Sequence, residues 1–278
     1  MKKLTKDELD QILRLHAAWI HSGGTDGERA DLSNVDLSGE NLVGINLVGA
    51  NLSDADLRGA DLRDIRLNRA VLTRAKLSSA SLSHSDLRAA DLRGAIICYA
   101  DLRHAVMGHA DFESAALNNS DLRYATLRGA NLRLADLYGA NLIDASLDDA
   151  MIDTTTMLPF IPLVCPDTGS FVAWKGCITD DGSVCVVKLQ IPETAKRSSA
   201  TGRKCRCDKA IVLEIQKLDG TILTMPHGVH SYYDPDFRYI VGDTITIVNF
   251  DENRFNGCCN GIHFFITREE AARFIRGL

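Results

Sequence analysis

The chain has 278 residues, of which 24% are charged, and a formal net charge of −6. That balance excludes a chain-wide basic footprint for nucleic acid, and the length allows one to three domains. No apolar run is long enough to span a bilayer, so no membrane partner is expected. Lys2 and Lys3 lead into an acid-containing amphipathic stretch rather than the apolar core of a signal peptide. Eight Cys in such a chain read as reduced thiols or metal ligands rather than a disulfide framework. The compartment inferred is the cytoplasm.

Residues 4–21 are predicted to be a helix. Thr5 and Glu8 have capping-box spacing. Leu9, Ile12, Leu13, His16 and Ile20 lie near one face, and Gly23-Gly24 ends the element. Residues 1–29 are assigned to this N-terminal cap.

From Ala30 the chain is written in fives. Leu32, Leu37, Leu42 and so on to Leu147 form one series, with Ile97, Met107 and Phe112 substituting for Leu. Two residues before each sits a smaller residue, commonly Ala, and between them usually Asp or Asn, as in Ala60-Asp61-Leu62. A period of five fits neither a helix nor a strand, and self-similarity of this length points to a repeat architecture. Recurrent Gly in the last slot (Gly39, Gly44, Gly49, Gly59, Gly94, Gly129, Gly139) suggests turns that need a positive φ.

These residues resemble the pentapeptide-repeat family. The resemblance implies a right-handed quadrilateral β-helix over residues 30–157, a solenoid of four pentapeptides per coil with the Leu and Ala positions inward. Residues twenty apart then stack, and Leu42, Leu62, Leu82, Leu102, Leu122 and Leu142 form one buried ladder. At about 4.8 Å per coil the stack is roughly 30 Å long. Each buried Leu is worth about 1.5–3 kcal/mol, so a charge at Leu82 or Leu102 is expected to cost more than one at any outward position. The N-terminal helix is expected to cover the open first coil, with Trp19 as a plug.

Outward positions carry adjacent stripes. Asp61, Asp101 and Asp121 lie beside Arg63, Arg103 and Arg123, with Ser81 and Ser83 in the gap; Asp91 with Arg93 and Asn131 with Arg133 repeat this on another face. Interleaved charges of opposite sign are expected to compensate each other. The resemblance also implies a sharper role, since some family members are similar in outline to DNA and bind type II topoisomerases such as gyrase. That role needs a continuous negative field. His84 and His104 are expected to stack, and Cys98 is expected to be outward and the most reactive thiol.

Asp153 to Pro162 reads as a linker. Residues 158–278 then read as a β-rich α+β domain: strands at Phe171–Gly176, Ser183–Ile191, Ala210–Gln216, Thr221–Met225, a pair within Tyr239–Val248, and Ile262–Ile266. A helix from Arg268 to Ile275 follows, capped by Thr267 with Glu270. This domain is expected to cover the last coil of the repeats. The run from Asn256 to Thr267 and the helix after it resemble a small domain that follows pentapeptide repeats in bacterial and phage-type proteins, a resemblance that implies no activity.

Three chemistries were weighed in this half. Lys196, Arg197, Arg203, Lys204 and Arg206 flank a Ser/Thr/Gly stretch that reads as a loop; it is either a solvated basic loop or a contact for an anion or nucleic acid. Cys205, Cys207, Cys258, Cys259 and His263 include zinc-ligand types but lack Cys-x-x-Cys spacing, and strand cysteines are commonly small core residues. No nucleophile motif is present. No cofactor is expected. The function inferred is a non-enzymatic scaffold or protein-interaction protein, with another protein as partner. The alternatives are a topoisomerase-binding DNA mimic and an anion- or nucleic-acid-binding effector acting through the C-terminal domain.

Overall fold

The structure is a computed structural model that describes residues 1–159, 164–199, 201–253 and 260–277. The chain divides into two units, Met1–Ile161 and Pro162–Leu278.

The first unit opens with β1 (Lys2–Lys3) and α1 (Lys6–His21). The capping box at Thr5 and Glu8 forms as the sequence indicates, and Ser22 is the C-cap. Leu9 and His16 are buried, while Trp19 is only half-buried and stacks on His16 at 5.6 Å. The helix is tied to the first coil through polar atoms as well as apolar ones. His16 Nδ1 accepts the Ala30 amide at 3.0 Å, and the Glu28 amide donates to the Leu15 carbonyl at 3.1 Å. A contact that the sequence did not signal lies before the helix. There β1 pairs in parallel with β2 (Val35–Asp36), adding one strand to the edge of the first coil.

From Asp31 onward, single-residue parallel bridges link residues twenty apart: Asp31 to Asn51, Asn51 to Val71, and so on to Asn131 with Met151. The last bridge, Asp136 to Met157, spans one residue more, which marks where the frame ends. The centre position of every repeat from Leu32 to Leu147 is at most 3% exposed, including the six Leu of the expected ladder.

The backbone explains why the motif has its form. In one repeat the Leu32 amide donates to the Asn51 carbonyl, the Asn34 amide to the Ser53 carbonyl, and the Val35 amide closes a turn on Leu32. The Asn51 amide returns to the Ala30 carbonyl. One amide of the five is left, that of Ser33, and it donates to Asp31 Oδ1 at 3.1 Å. The same side-chain bond recurs at Asn41, Asp61, Asp91, Asp101, Asp121 and Asn141. Asp or Asn at this position thus supplies an acceptor for an amide that the backbone pairing leaves over, although Val71, Ile96, Val106 and Ala116 occupy the same slot in other repeats. Every fifth residue from Asn34 to Asp149 has φ between +54° and +70°. The glycines of that slot take it as expected, and so do Ala89 and Leu134, where a Cβ makes it costly.

The second unit contains β3 (Phe171–Ile178), β4 (Val184–Ile191), β5 (Arg197–Ser199), β6 (Cys205–Cys207), β7 (Lys209–Lys217), β8 (Val229–His230), β9 (Arg238–Tyr239), β10 (Thr244–Thr246), β11 (Ile262–Phe264) and α2 (Arg268–Arg276). Six strands form one sheet in the order β10-β7-β4-β3-β8-β9, and three form another in the order β11-β6-β5. All pairings in both sheets are antiparallel. Tyr239 and Thr244 lie on opposite edge strands yet are five residues apart, a reach of at most about 18 Å. Six flat strands would separate those edges by roughly 24 Å, so the larger sheet curls. Its inner face packs Ala173, Cys177, Val187, Leu189, Val212 and Ile215 against Cys205, Cys207, Ile262 and Phe264 of the smaller sheet. Helix α2 lies on β3 and β4, where Gly176 admits it: a Cβ there would sit 2.7 Å from Ile275 Cβ.

Three expectations are corrected. Thr221–Met225 is not a strand and makes only the bridge Gln216–Ile222. Both strands of the pair read within Tyr239–Val248 form, as β9 and β10, but they do not pair with each other, because the curled sheet sends them to opposite edges. The basic segment read as a loop contains β5 and β6, whose short length and Arg content hid their alternation.

Two outcomes follow for the first unit. Ser85 Oγ is buried without a hydrogen-bond partner, whereas Ser120 Oγ donates to the Leu117 carbonyl at 2.7 Å. Ser85→Ala should therefore raise stability by about 1 kcal/mol and Ser120→Ala should lower it, read as opposite shifts in Tm by calorimetry. Burial, and secondarily Arg29, hold the His16 imidazole below its usual pKa. A depressed histidine contributes stability that is present above its unfolded value and lost as pH falls through the folded one. Urea midpoints should fall between about pH 7.5 and pH 5.5, and His16→Gln should flatten that slope.

Candidate functional site

On the first unit many outward residues form ion pairs with a residue two positions away. Arg63 Nη2 lies 2.6 Å from Asp61 Oδ2, Arg103 Nη2 2.8 Å from Asp101 Oδ2, and Arg123 Nη2 2.6 Å from Asp121 Oδ2. Each is bidentate, with Nε donating to Oδ1. Hydrogen bonding to the guanidinium holds these carboxyls below the usual carboxylate range. Arg93 pairs with Asp91 in the same way, while Arg133 reaches Asp153 at 3.6 Å. The register also brings Asp101 and Asp121 into one bridge, and Arg103 Nε lies 3.9 Å from Asp121.

The ladder is interrupted where Ser81 and Ser83 stand between those pairs. The short side chains leave a surface notch of about 590 Å³ lined by Asp61, Arg63, Asp101, Arg103 and His84 among others. Beside it the imidazoles of His84 and His104 stack at 4.8 Å and 2°, as the register indicates. The phenol of Tyr124 extends that column at 4.9 Å, a member not picked out in the sequence although it shares the spacing of twenty. Cys98 points outward but is half-covered, with its thiol near Asn118 Oδ1 at 3.6 Å, because the side chain twenty residues on folds over it.

In the second unit the basic segment is engaged internally. Lys196 pairs with Glu252, and Arg203 with Glu270, the capping-box acid of α2. Arg197 donates to the carbonyls of Pro166, Gly169 and Pro192. Arg206 is 4% exposed, donates to the Asn253 carbonyl at 2.8 Å and lies over the Phe250 ring. Lys204 lies over the Phe274 ring at 5.3 Å.

Cys205 and Cys207 share one face of β6, as two residues apart on a strand must, and both are buried in the core. His263 pairs with Arg206 in the register of β11 and β6, so alternation puts it on the opposite face from the two thiols. Burial pushes the Cys207 thiol up to about 12. Cys258 and Cys259 lie outside the described residues. Among the described residues no group of three or more His, Cys, Asp or Glu is arranged to hold a metal. No described helix is long and apolar enough to cross a membrane.

Lys175 is the residue that the sequence reading passed over. It sits on β3 between Ala173 and Cys177, both fully buried, in the inward register of the strand. A lysine at an inward position of an alternating strand was the available signal. Its Nζ lies 3.4 Å from the His263 carbonyl and 5.6 Å from the Tyr239 ring centroid.

Comparison with known proteins agrees with the division. Pentapeptide repeats match residues 28–64, 57–94, 85–123, 99–133 and 110–151, and a family of unknown function (DUF5758) matches residues 161–271. An uncharacterized protein of Acanthamoeba polyphaga mimivirus is 35% identical over 97 residues, which is 32% of this chain and 61% of that one. Among solved structures, HetL, a pentapeptide repeat protein involved in heterocyst differentiation regulation from the cyanobacterium Nostoc sp. strain PCC 7120, is 31% identical. The match covers 56% of this chain and 75% of HetL, with a TM-score of 0.31. The pentapeptide repeat protein Rfr23 from the cyanobacterium Cyanothece 51142 is 30% identical over 46% of this chain and 87% of its own, with a TM-score of 0.30. On its matched repeats and on these identities, the chain belongs to the pentapeptide-repeat family and carries in addition a C-terminal domain of unknown function.

Proposed function

We propose that the chain is a non-enzymatic interaction protein in which residues 30–157 form a right-handed quadrilateral β-helix that presents one outward face to a protein partner. The supporting observation is the interruption of the Asp–Arg ladder at Ser81 and Ser83. Elsewhere on that face the guanidiniums are held by the carboxylates of their own coils. At the notch, polar groups of both signs line a recess, and the flat His84–His104–Tyr124 column borders it. A recess between fixed ion pairs favours a protruding polar side chain, while the stacked rings offer area at little entropic cost.

The same pairing weighs against the topoisomerase-binding alternative. A DNA mimic requires unneutralised carboxylates along its length, and here Asp56, Asp61, Asp86, Asp91, Asp101 and Asp121 each hold an Arg two residues away. The alternative that uses Lys196, Arg197, Arg203, Lys204 and Arg206 together for an extended anion or nucleic acid has less support, because carboxylates or carbonyls already engage Lys196, Arg197, Arg203 and Arg206.

Ser83→Arg restores the Arg column and fills the notch. In photo-crosslinking from the native host, the full-length protein should capture a defined set of proteins that Ser83→Arg loses and Arg128→Gln, on another face, retains. Identical captures by wild type and Ser83→Arg would remove the notch from the interface. A topoisomerase in the wild-type set would favour the mimic instead.

A further inference from the structure

The second unit carries a pocket of about 590 Å³ lined by parts of β3, residues 231–239, residues 260–265 and α2, within the range of small-molecule sites. Aromatic rings make up part of its wall, with Tyr232, Phe237, Tyr239 and Phe265 among them. Two lysines line it, Lys175 and Lys204. Neither lysine makes an ion pair among the described residues. The single carboxylate lining the cavity is Asp234, whose Oδ1 accepts the Asp236 amide at 3.1 Å.

Lys175 lies on an inward strand position, and among the described residues its ammonium makes the long contact to the His263 carbonyl at 3.4 Å. Desolvation draws its ammonium below the usual lysine range, with Lys204 adding to the effect. A buried charge is costly unless it is paired and hydrogen-bonded, so the site is left short of an anion. An apolar wall with a few convergent polar groups is the usual construction of a ligand pocket.

We propose that this cavity binds a small organic anion with a flat apolar body, its acidic group against Lys175 and Lys204 and its body among the rings of Tyr232, Tyr239 and Phe265. The anion supplies a counter-charge that neither lysine finds among the described residues, and the rings supply the apolar contact. This inference concerns the second unit and is independent of the interaction face proposed for the repeats.

The test uses the full-length chain with two fluorescent probes of similar size, the anion 8-anilinonaphthalene-1-sulfonate and the neutral N-phenyl-1-naphthylamine. The anion should bind saturably at one site, and more tightly than the neutral probe. Lys175→Met should weaken the anion at least tenfold and leave the neutral probe unchanged, which also reports that the cavity is intact. Lys204→Gln should weaken the anion severalfold. Benzoate should displace the anion from wild type. Equal binding of both probes to wild type, or undiminished anion binding to Lys175→Met, would overturn the proposal. If Lys175→Met loses both probes, Lys204→Gln decides: retained anion affinity there overturns the proposal, and a selective loss sustains it.

Discussion

The repeat unit rests on the need to satisfy five backbone amides without a conventional strand. Residues twenty apart touch through single-residue parallel bridges rather than continuous ladders. Three amides per repeat reach the adjacent coils and a fourth closes the turn. The fifth has only a side chain to turn to, and Asp or Asn one residue before the central Leu provides it. A polar residue at the surface therefore supports the repeats that carry it, while Val71, Ile96, Val106 and Ala116 in the same slot leave the Leu inside as the stricter demand. The price of that solution is electrostatic. Carboxylates that cap amides in register come to lie one above another, as Asp101 does with Asp121. Like charges at such spacing repel, and an Arg two residues on offsets this by bidentate pairing. The outward charge pattern is thus a consequence of the backbone first. Where the Arg and Asp both give way to Ser, the structural reason lapses and the surface is free to do something else.

The open first coil imposes a second constraint. Its amides and carbonyls would otherwise present an unpaired edge. Two elements meet it from one side: β1 pairs with β2, and α1 places His16 over the Ala30 amide. Since Nδ1 accepts that amide, the neutral ring carries its proton on Nε2, which is itself buried without a partner. The cap thus requires an uncharged imidazole, and burial enforces it.

Much of the first unit was legible because its period is set by the backbone and repeated many times. The Leu series, the left-handed slot and the stacking of His84 on His104 follow from one number, the twenty residues between bridges. The second unit was less legible. Its long strands, β3, β4 and β7, alternate over enough residues to be seen. Arg197–Ser199 and Cys205–Cys207 are three residues each, too short for alternation to stand out against their charges. Tyr239 and Thr244 are separated by the closure of a curled sheet, a tertiary fact that no local pattern carries. Arg197 and Arg206 looked available because a sequence does not show which carbonyls lie nearby.

Lys175 differs from those arginines in what surrounds it. Arg197 is half-buried and its guanidinium ties three carbonyls together, a structural role within the fold. The Lys175 ammonium gains one long contact and a ring face. As a structural device it is poor, since an apolar residue of similar length would pack the same strand position without desolvating a charge. The fold could hold its core with Ala173, Cys177 and their partners alone. A charge kept at a cost, facing a cavity with aromatic walls and a second ammonium, is better explained by a ligand that completes it than by the packing of the domain itself.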